Sequence, residues 1–371
     1  MIYLDSAATS MLKPSAVEHA VVQAMRTMAS PGRGGHSASL NAAELVYSCR
    51  ESAAEMFSLD DPADVVFTFN ATHALNIAIQ SRLRPGGRVL VSGYEHNSVT
   101  RPLQAMGAKI ITAGRTLFRP EQALEEFARH ISSVDLVVCT HVSNVFGYIL
   151  PVYEIGALCR RAGVPYIVDA SQSAGVLPVD MSRLCADFVA MPGHKGLMGP
   201  QGTGILLCAA KAKPLLHGGS GSDSLSQQMP DYLPDMLEAG THNVCGIAGL
   251  LAGIQYVREK GVENIRAHEL RLMAVAVEEL SESGMELFLS DCDTQSAVLS
   301  LRCPVINCEE LASRLGERGI CVRAGLHCAP YAHESAGTLD TGTVRLSFSP
   351  FISENQVKSA SSAIKEIIKY V

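Results

Sequence analysis

Between residues 65 and 191 the chain repeats one rhythm, a short apolar run followed by a helical stretch, and that rhythm leaves few folds open. The apolar runs fall at 65–69, 88–92, 109–113, 136–140, 166–170 and 188–191, with helical spacing at 72–80, 98–106, 120–130 and 152–162 between them. Short runs rich in Val, Ile and Leu read as strands buried on both faces. In this cadence they predict an α/β fold, a mostly parallel sheet covered by helices on both sides. Such a sheet places its ligand outside the carboxyl ends of its strands. A further run at 202–208 can add one more strand, and helices at 14–28 and 38–57 precede the repeat, joined by the loop Gly32-Arg33-Gly34-Gly35-His36.

The 371 residues exceed the roughly 250–300 at which a single core stops growing, and the pattern changes after residue 213. Residues 213–241 turn to Gly, Ser, Pro and Asp, a long surface excursion. Beyond it come helices at 244–259 and 262–283, strands at 286–289 and 297–302, a helix at 309–318, strands at 321–323 and 343–348, and a final helix at 354–370, the makings of a smaller α+β lobe. We expect a large domain over 12–245 and a small one built from 1–11 together with 246–371.

Other classes drop out on composition. A net charge of −7 opposes a nucleic-acid surface, which needs clustered Lys and Arg. The start, Met1-Ile2-Tyr3-Leu4-Asp5, lacks the basic and apolar regions of a secretion signal, and the most apolar helical stretch is too short to cross a bilayer, so a cytoplasmic protein without a membrane span is expected. Eleven cysteines occur without a Cys-x-x-Cys pair or zinc spacing, so no metal site is expected. No strand runs into Gly-x-Gly-x-x-Gly, which disfavours a nicotinamide dehydrogenase.

The strand ends carry chemistry. Tyr94-Glu95-His96-Asn97 follows the run at 88–92, Thr140-His141-Val142-Ser143-Asn144 closes the next-but-one, Asp169-Ala170-Ser171-Gln172 follows Ile167-Val168, and Pro192-Gly193-His194-Lys195 ends the run at 188–191. Taken singly, His96 and His141 can be ordinary histidines, Asn144 a turn former and Asp169 a helix cap; their convergence on one sheet edge points to a site. A lysine and a carboxylate in one pocket suit pyridoxal 5'-phosphate, the lysine joining the cofactor as a Schiff base and the acid pairing with its pyridine nitrogen. Asn70-Ala71-Thr72-His73, where a strand yields to a helix, offers backbone N–H groups to a phosphate.

Together, Asp169-Ala-Ser-Gln172, Gly193-His194-Lys195, Glu238-Ala-Gly-Thr241 and Arg323-Ala-Gly-Leu-His-Cys328-Ala-Pro closely resemble the class V aminotransferase family, in its cysteine desulfurase and selenocysteine lyase branch. The likeness runs from Tyr3-Leu4-Asp5-Ser6-Ala7-Ala8-Thr9 to Thr343-Val344-Arg345-Leu346-Ser347. It implies the fold type I, aspartate aminotransferase-like architecture of pyridoxal phosphate enzymes. It makes Lys195 the cofactor-bonding lysine, Asp169 the pyridinium partner, His96 the imidazole stacked on the ring and Gln172 a contact to the phenolic oxygen. Ala71, Thr72 and His194 become phosphate ligands, joined by Thr241 from a second subunit of a homodimer. Arg345 becomes the clamp on the substrate carboxylate, with Asn144, Arg33 and Arg323 beside it; read without the family, Arg345 could equally pair with an acid inside the small lobe.

Cys328 follows Arg323 and His327, whose positive charge would favour its thiolate, and the resemblance makes it the sulfur-receiving nucleophile in the short-loop, second-group pattern. The implied reaction converts L-cysteine to L-alanine with a persulfide on Cys328, sulfur then passing to an acceptor protein or thiol. Selenocysteine lyase, elimination, epimerisation, transamination, or a binding scaffold without turnover are the rival readings. Three positions depart from the pattern: Pro192 stands where Ser is usual, removing a hydroxyl and an N–H, His242 where Pro is usual, and Leu326 in place of a histidine.

Overall fold

The computed structural model describes residues 1–32, 34–222 and 224–370; Arg33 lies outside them. In chain order the first elements are β1 (Ile2–Tyr3), α1 (Ser15–Thr27), α2 (Ser37–Phe57), β2 (Val65–Thr68), α3 (Ala71–Arg82), β3 (Arg88–Ser92), α4 (Asn97–Ala105), β4 (Lys109–Ala113), α5 (Pro120–His130), β5 (Leu136–Thr140), α6 (Val152–Ala162), β6 (Tyr166–Asp169), α7 (Met181–Leu184), β7 (Phe188–Pro192) and β8 (Gly204–Cys208). The second part holds α8 (Val244–Lys260), α9 (Val262–Leu280), β9 (Glu286–Phe288), β10 (Val298–Arg302), α10 (Cys308–Glu317), β11 (Ile320–Cys321), β12 (Arg323–Gly325), α11 (Pro330–Ser335), β13 (Thr343–Ser347) and α12 (Glu354–Lys369).

The expected sheet is present. Seven strands lie in the order β2-β8-β7-β6-β5-β3-β4, all pairs parallel except those made by β8. Successive side chains on each strand enter different cores. Leu90, Val137, Val168 and Val189 pack on one face, while Val89, Val91, Val138, Ile167 and Phe188 pack on the other. A strand buried on both sides has no polar face to show, which is why these runs read as continuous apolar segments. Each fully buried Val or Leu stabilises the sheet by roughly 1.5–3 kcal/mol.

The small lobe is a four-stranded antiparallel sheet, β12-β13-β10-β9, with Leu4 from the N-terminal segment in its core. The expected strand at 321–323 is two strands. β11 pairs with β1 and β12 with β13, because the chain changes partners at Val322. Helix α8 spans the 245/246 position, and its Ile247, Leu250 and Ile254 join the core of the large sheet. Between β8 and α8 no helix or strand forms among the described residues. No helix of the described residues is long and apolar enough to cross a membrane.

Candidate active site

Sheet order sets the site. β3, β5, β6 and β7 are neighbours, so the segments after their carboxyl ends meet at one edge, and α3 starts beside them. The resulting cleft has a volume of about 210 Å³ and brings together Lys195, Asp169, His96, Thr72, Arg345 and Cys328. Ala71, Gln172, His194, Asn144 and Arg323 also border it.

The Lys195 turn is clamped by its neighbours. Pro192 is still in register with Gly204, Gly193 N donates to Thr203 O at 2.8 Å, and Met198 N donates to Lys195 O at 2.9 Å. A Cβ at Gly196 would stand 2.3 Å from the Ala174 carbonyl oxygen, so only glycine lets the turn lie this close. Lys195 is half-buried. Burial draws its pKa down to about 8, with Asp169 opposing the shift and Arg345 and Arg323 adding to it. An amine poised there can both take and return a proton near neutral pH.

Asp169 ends β6, paired with Thr140 on one side and Ala190 on the other, and its Oδ1 accepts from Ser171 N at 2.9 Å. His96 caps α4: its Nδ1 accepts from Ser98 N at 3.0 Å, which leaves the proton on Nε2. Burial holds its pKa near 4 despite Asp169, so the ring is neutral. Gln172 is oriented by donation from Nε2 to Ala7 O at 2.9 Å.

Beneath them lies Glu95, which sequence reasoning passed over. The β3–β5 ladder ends at Val91 and Val138, and the Glu95 carboxylate continues it, Oε1 accepting from Thr140 N at 2.8 Å and from Ser92 Oγ at 2.5 Å. Complete burial raises its pKa to about 8, and its Oε2 has no partner. The available signal was a carboxylate three positions beyond a strand whose centre, Val89-Leu90-Val91, is apolar and buried.

At the far end of the cleft α3 starts at Ala71, its first amides lacking intrahelical partners, with Asn70 capping through His73 N. Thr72 Oγ lies 2.7 Å from Ser98 Oγ. His194 is fixed by Thr9, whose Oγ1 lies 3.0 Å from its Nδ1, and burial holds it near a pKa of 4. Thr241 stands apart, in a surface recess with Phe69, His73 and His242. The segment before it is pinned by buried Glu238, which pairs with Arg50 at 2.5 Å and with His242 at 3.3 Å.

On the small-lobe side Arg345 is buried and already has partners. Its Nη2 pairs with Asp5 Oδ1 at 2.6 Å, its Nη1 donates to Asn144 O at 2.9 Å, and its Nε has no partner. Burial works against its charge and Asp5 offsets this. Asn144 Nδ2 donates to His327 O at 2.9 Å. Cys328 is exposed on a turn where His327 and Cys328 both have left-handed φ, 50° and 56°. One expectation is corrected here: His327 is no cationic neighbour of Cys328. It is buried against Thr343, and burial depresses its pKa to about 2, so the ring is neutral. Arg323 remains as the positive group bordering this part of the cleft. Among the described residues no group of three or more His, Cys, Asp or Glu is placed to hold a metal ion.

A lysine, a carboxylate and a neutral imidazole bordering one cleft, with a helix start whose first amides are free, form a donor set that fits an anionic pyridine cofactor. The orphaned Nε of Arg345 is a buried donor without an acceptor, which fits a carboxylate ligand.

The sequence matches the Aminotransferase class-V family over residues 2–359. It is 31% identical to a probable cysteine desulfurase of Pyrococcus abyssi, covering 100% of this chain and 94% of that protein. It is 33% identical to a probable cysteine desulfurase of Methanothermobacter thermautotrophicus, covering 99% and 94%. The fold superposes on the apo structure of a cysteine desulfurase from Thermococcus onnurineus NA1 with a TM-score of 0.93, 31% identity, and coverage of 100% and 95%.

Proposed function

This chain belongs to the class V aminotransferase family, and on that premise we propose that its cleft binds pyridoxal 5'-phosphate and acts as a cysteine desulfurase on L-cysteine. The observation that carries this reading is one cleft bordered by Lys195 and Asp169 from the large sheet and by Cys328 from the small lobe.

When bound, the cofactor supplies an electron sink next to the substrate α-carbon. Lys195 would hold it and move the α-proton, a task its lowered pKa suits. Asp169 would meet the pyridine nitrogen, neutral His96 would lie on the ring, and Gln172 would face the phenolic oxygen. The amides of Ala71 and Thr72, the Thr72 hydroxyl and His194 would hold the phosphate. Thr241, outside the cleft of its own chain, would reach the cleft of a second copy in a homodimer. Arg345 would take the substrate carboxylate, with Asn144 and Arg323 near it.

Cys328, as thiolate, then attacks the substrate sulfur. A new S–S bond forms as the Cβ–S bond breaks; carbon keeps the bonding pair and takes up a proton, giving L-alanine and a persulfide on Cys328. An acceptor protein or thiol removes that sulfur. The test is product analysis: alanine and sulfide should appear in equal amounts from L-cysteine in the presence of a thiol. Alanine release from L-cysteine that is absent, or that occurs only from L-selenocysteine, would overturn the assignment.

A further inference from the structure

We propose that Ser98 is a phosphate-binding residue, supplying with Thr72 the hydroxyl pair that grips the phosphate end of the cofactor. This rests on the cofactor reading above and adds a residue to it. Two helices begin at this corner of the cleft, α3 at Ala71 and α4 at Asn97, so both dipoles present their positive ends to one point. Helix α4 has little backbone left to offer there: Asn97 N is donated to Cys328 O at 2.8 Å and Ser98 N to His96 Nδ1 at 3.0 Å. What it does present is the Ser98 hydroxyl, which borders the cleft 2.7 Å from Thr72 Oγ and 2.9 Å from His96 Nδ1.

The hydrogen-bond count shows why this hydroxyl is free to act. Nδ1 of His96 has one lone pair, already occupied by the Ser98 amide, so it does not require the Ser98 hydroxyl proton as well. The two hydroxyl protons are left with each other's oxygens and a ring nitrogen already shared with the Ser98 amide, so at least one has no strong acceptor of its own. A phosphate placed at the start of α3 can take both, Thr72 and Ser98 each turning its proton outward.

The Lys195 turn explains the need. Pro192 borders the same cleft with neither a hydroxyl nor an N–H to donate. Ser98 borders that cleft too and supplies a hydroxyl donor that Pro192 lacks.

The experiment titrates the cofactor-free full-length protein with pyridoxal 5'-phosphate and with pyridoxal, following absorbance. Ser98→Ala should bind pyridoxal 5'-phosphate about 10–100-fold more weakly, the range expected for one lost hydrogen bond to a charged group, and bind pyridoxal unchanged. Ser98→Thr should behave as the parent, and Pro192→Ser added to Ser98→Ala should recover part of the loss. Equal weakening for both ligands would reduce Ser98 to a prop for His96 and overturn the proposal, as would no change for either. Ser98→Cys, which keeps the shape with a weaker donor, replaces the alanine variant if that one does not fold. A parent protein that binds neither ligand would instead overturn the cofactor reading itself.

Discussion

The turn carrying Lys195 and the turn carrying Cys328 deliver reactive groups to one cleft, yet they are held by opposite means. Lys195 follows a strand paired on both sides, and its turn is closed by its own backbone and by the neighbouring segments of the same sheet. The Cys328 turn takes two consecutive non-glycine residues into the left-handed region, at a cost of about 1–3 kcal/mol each. Hydrogen bonds from the large lobe hold it there, Asn144 Nδ2 to His327 O and Asn97 N to Cys328 O. The lysine is thus placed by the sheet, whereas the cysteine is placed by docking of one lobe on the other.

Removing the lysine should give the largest effect. Lys195→Ala is expected to lower kcat about 1,000-fold or more without lowering Tm, because it removes an amine whose charge burial disfavours and leaves the ladder intact. A large fall in Tm would show that the turn depends on its lysine. Cutting the tether of the other turn comes next. Asn144→Ala should slow single-turnover persulfide formation about 10–100-fold, the range for a misplaced reacting group, while the cofactor spectrum stays normal. An unchanged rate would mean that the Asn97 N–H bond to Cys328 O and the turn itself suffice to place the cysteine.

The sheet edge carries a penalty of its own in Glu95. Its folded pKa of about 8 lies above the ordinary carboxyl value, so the unfolded chain loses this proton first and stability falls as pH rises from about 4.5 to about 8. Glu95→Gln keeps the acceptor for Thr140 N and should flatten that decline, gaining about 4 kcal/mol near pH 8 relative to the parent. Denaturant titrations at pH 5 and pH 8 check this; parallel losses in both proteins would refute it. The smallest effect belongs to the exposed ion pair between Arg115 and Glu334, 3.3 Å apart across the lobes. Arg115→Ala should change stability by under about 0.5 kcal/mol and leave persulfide formation unaltered, since buried hydrogen bonds do the docking.

The same contrast governs what could be read from the sequence. The strands of the large sheet were legible because a doubly buried strand must be apolar along its centre, and Lys195, Asp169 and His96 were legible as polar residues at or just past strand ends. β1 and β11 are two residues each and α7 four, too short to leave a period. The partners of Arg345 and Cys328 were hidden for another reason. Asp5 is 340 positions from Arg345, brought to it only when the N-terminal segment joins the small lobe, and Asn144 is 183 from His327, a contact that exists only once the lobes meet. The charge of His327 misled because burial, not neighbouring residues in sequence, decides it.

The most direct test of the account is peptide mass spectrometry after one turnover with L-cysteine. One added sulfur is expected on the peptide holding Cys328, absent in Cys328→Ala although that variant keeps the cofactor absorbance. Sulfur on another of the eleven cysteines, or full turnover by Cys328→Ala, would contradict it.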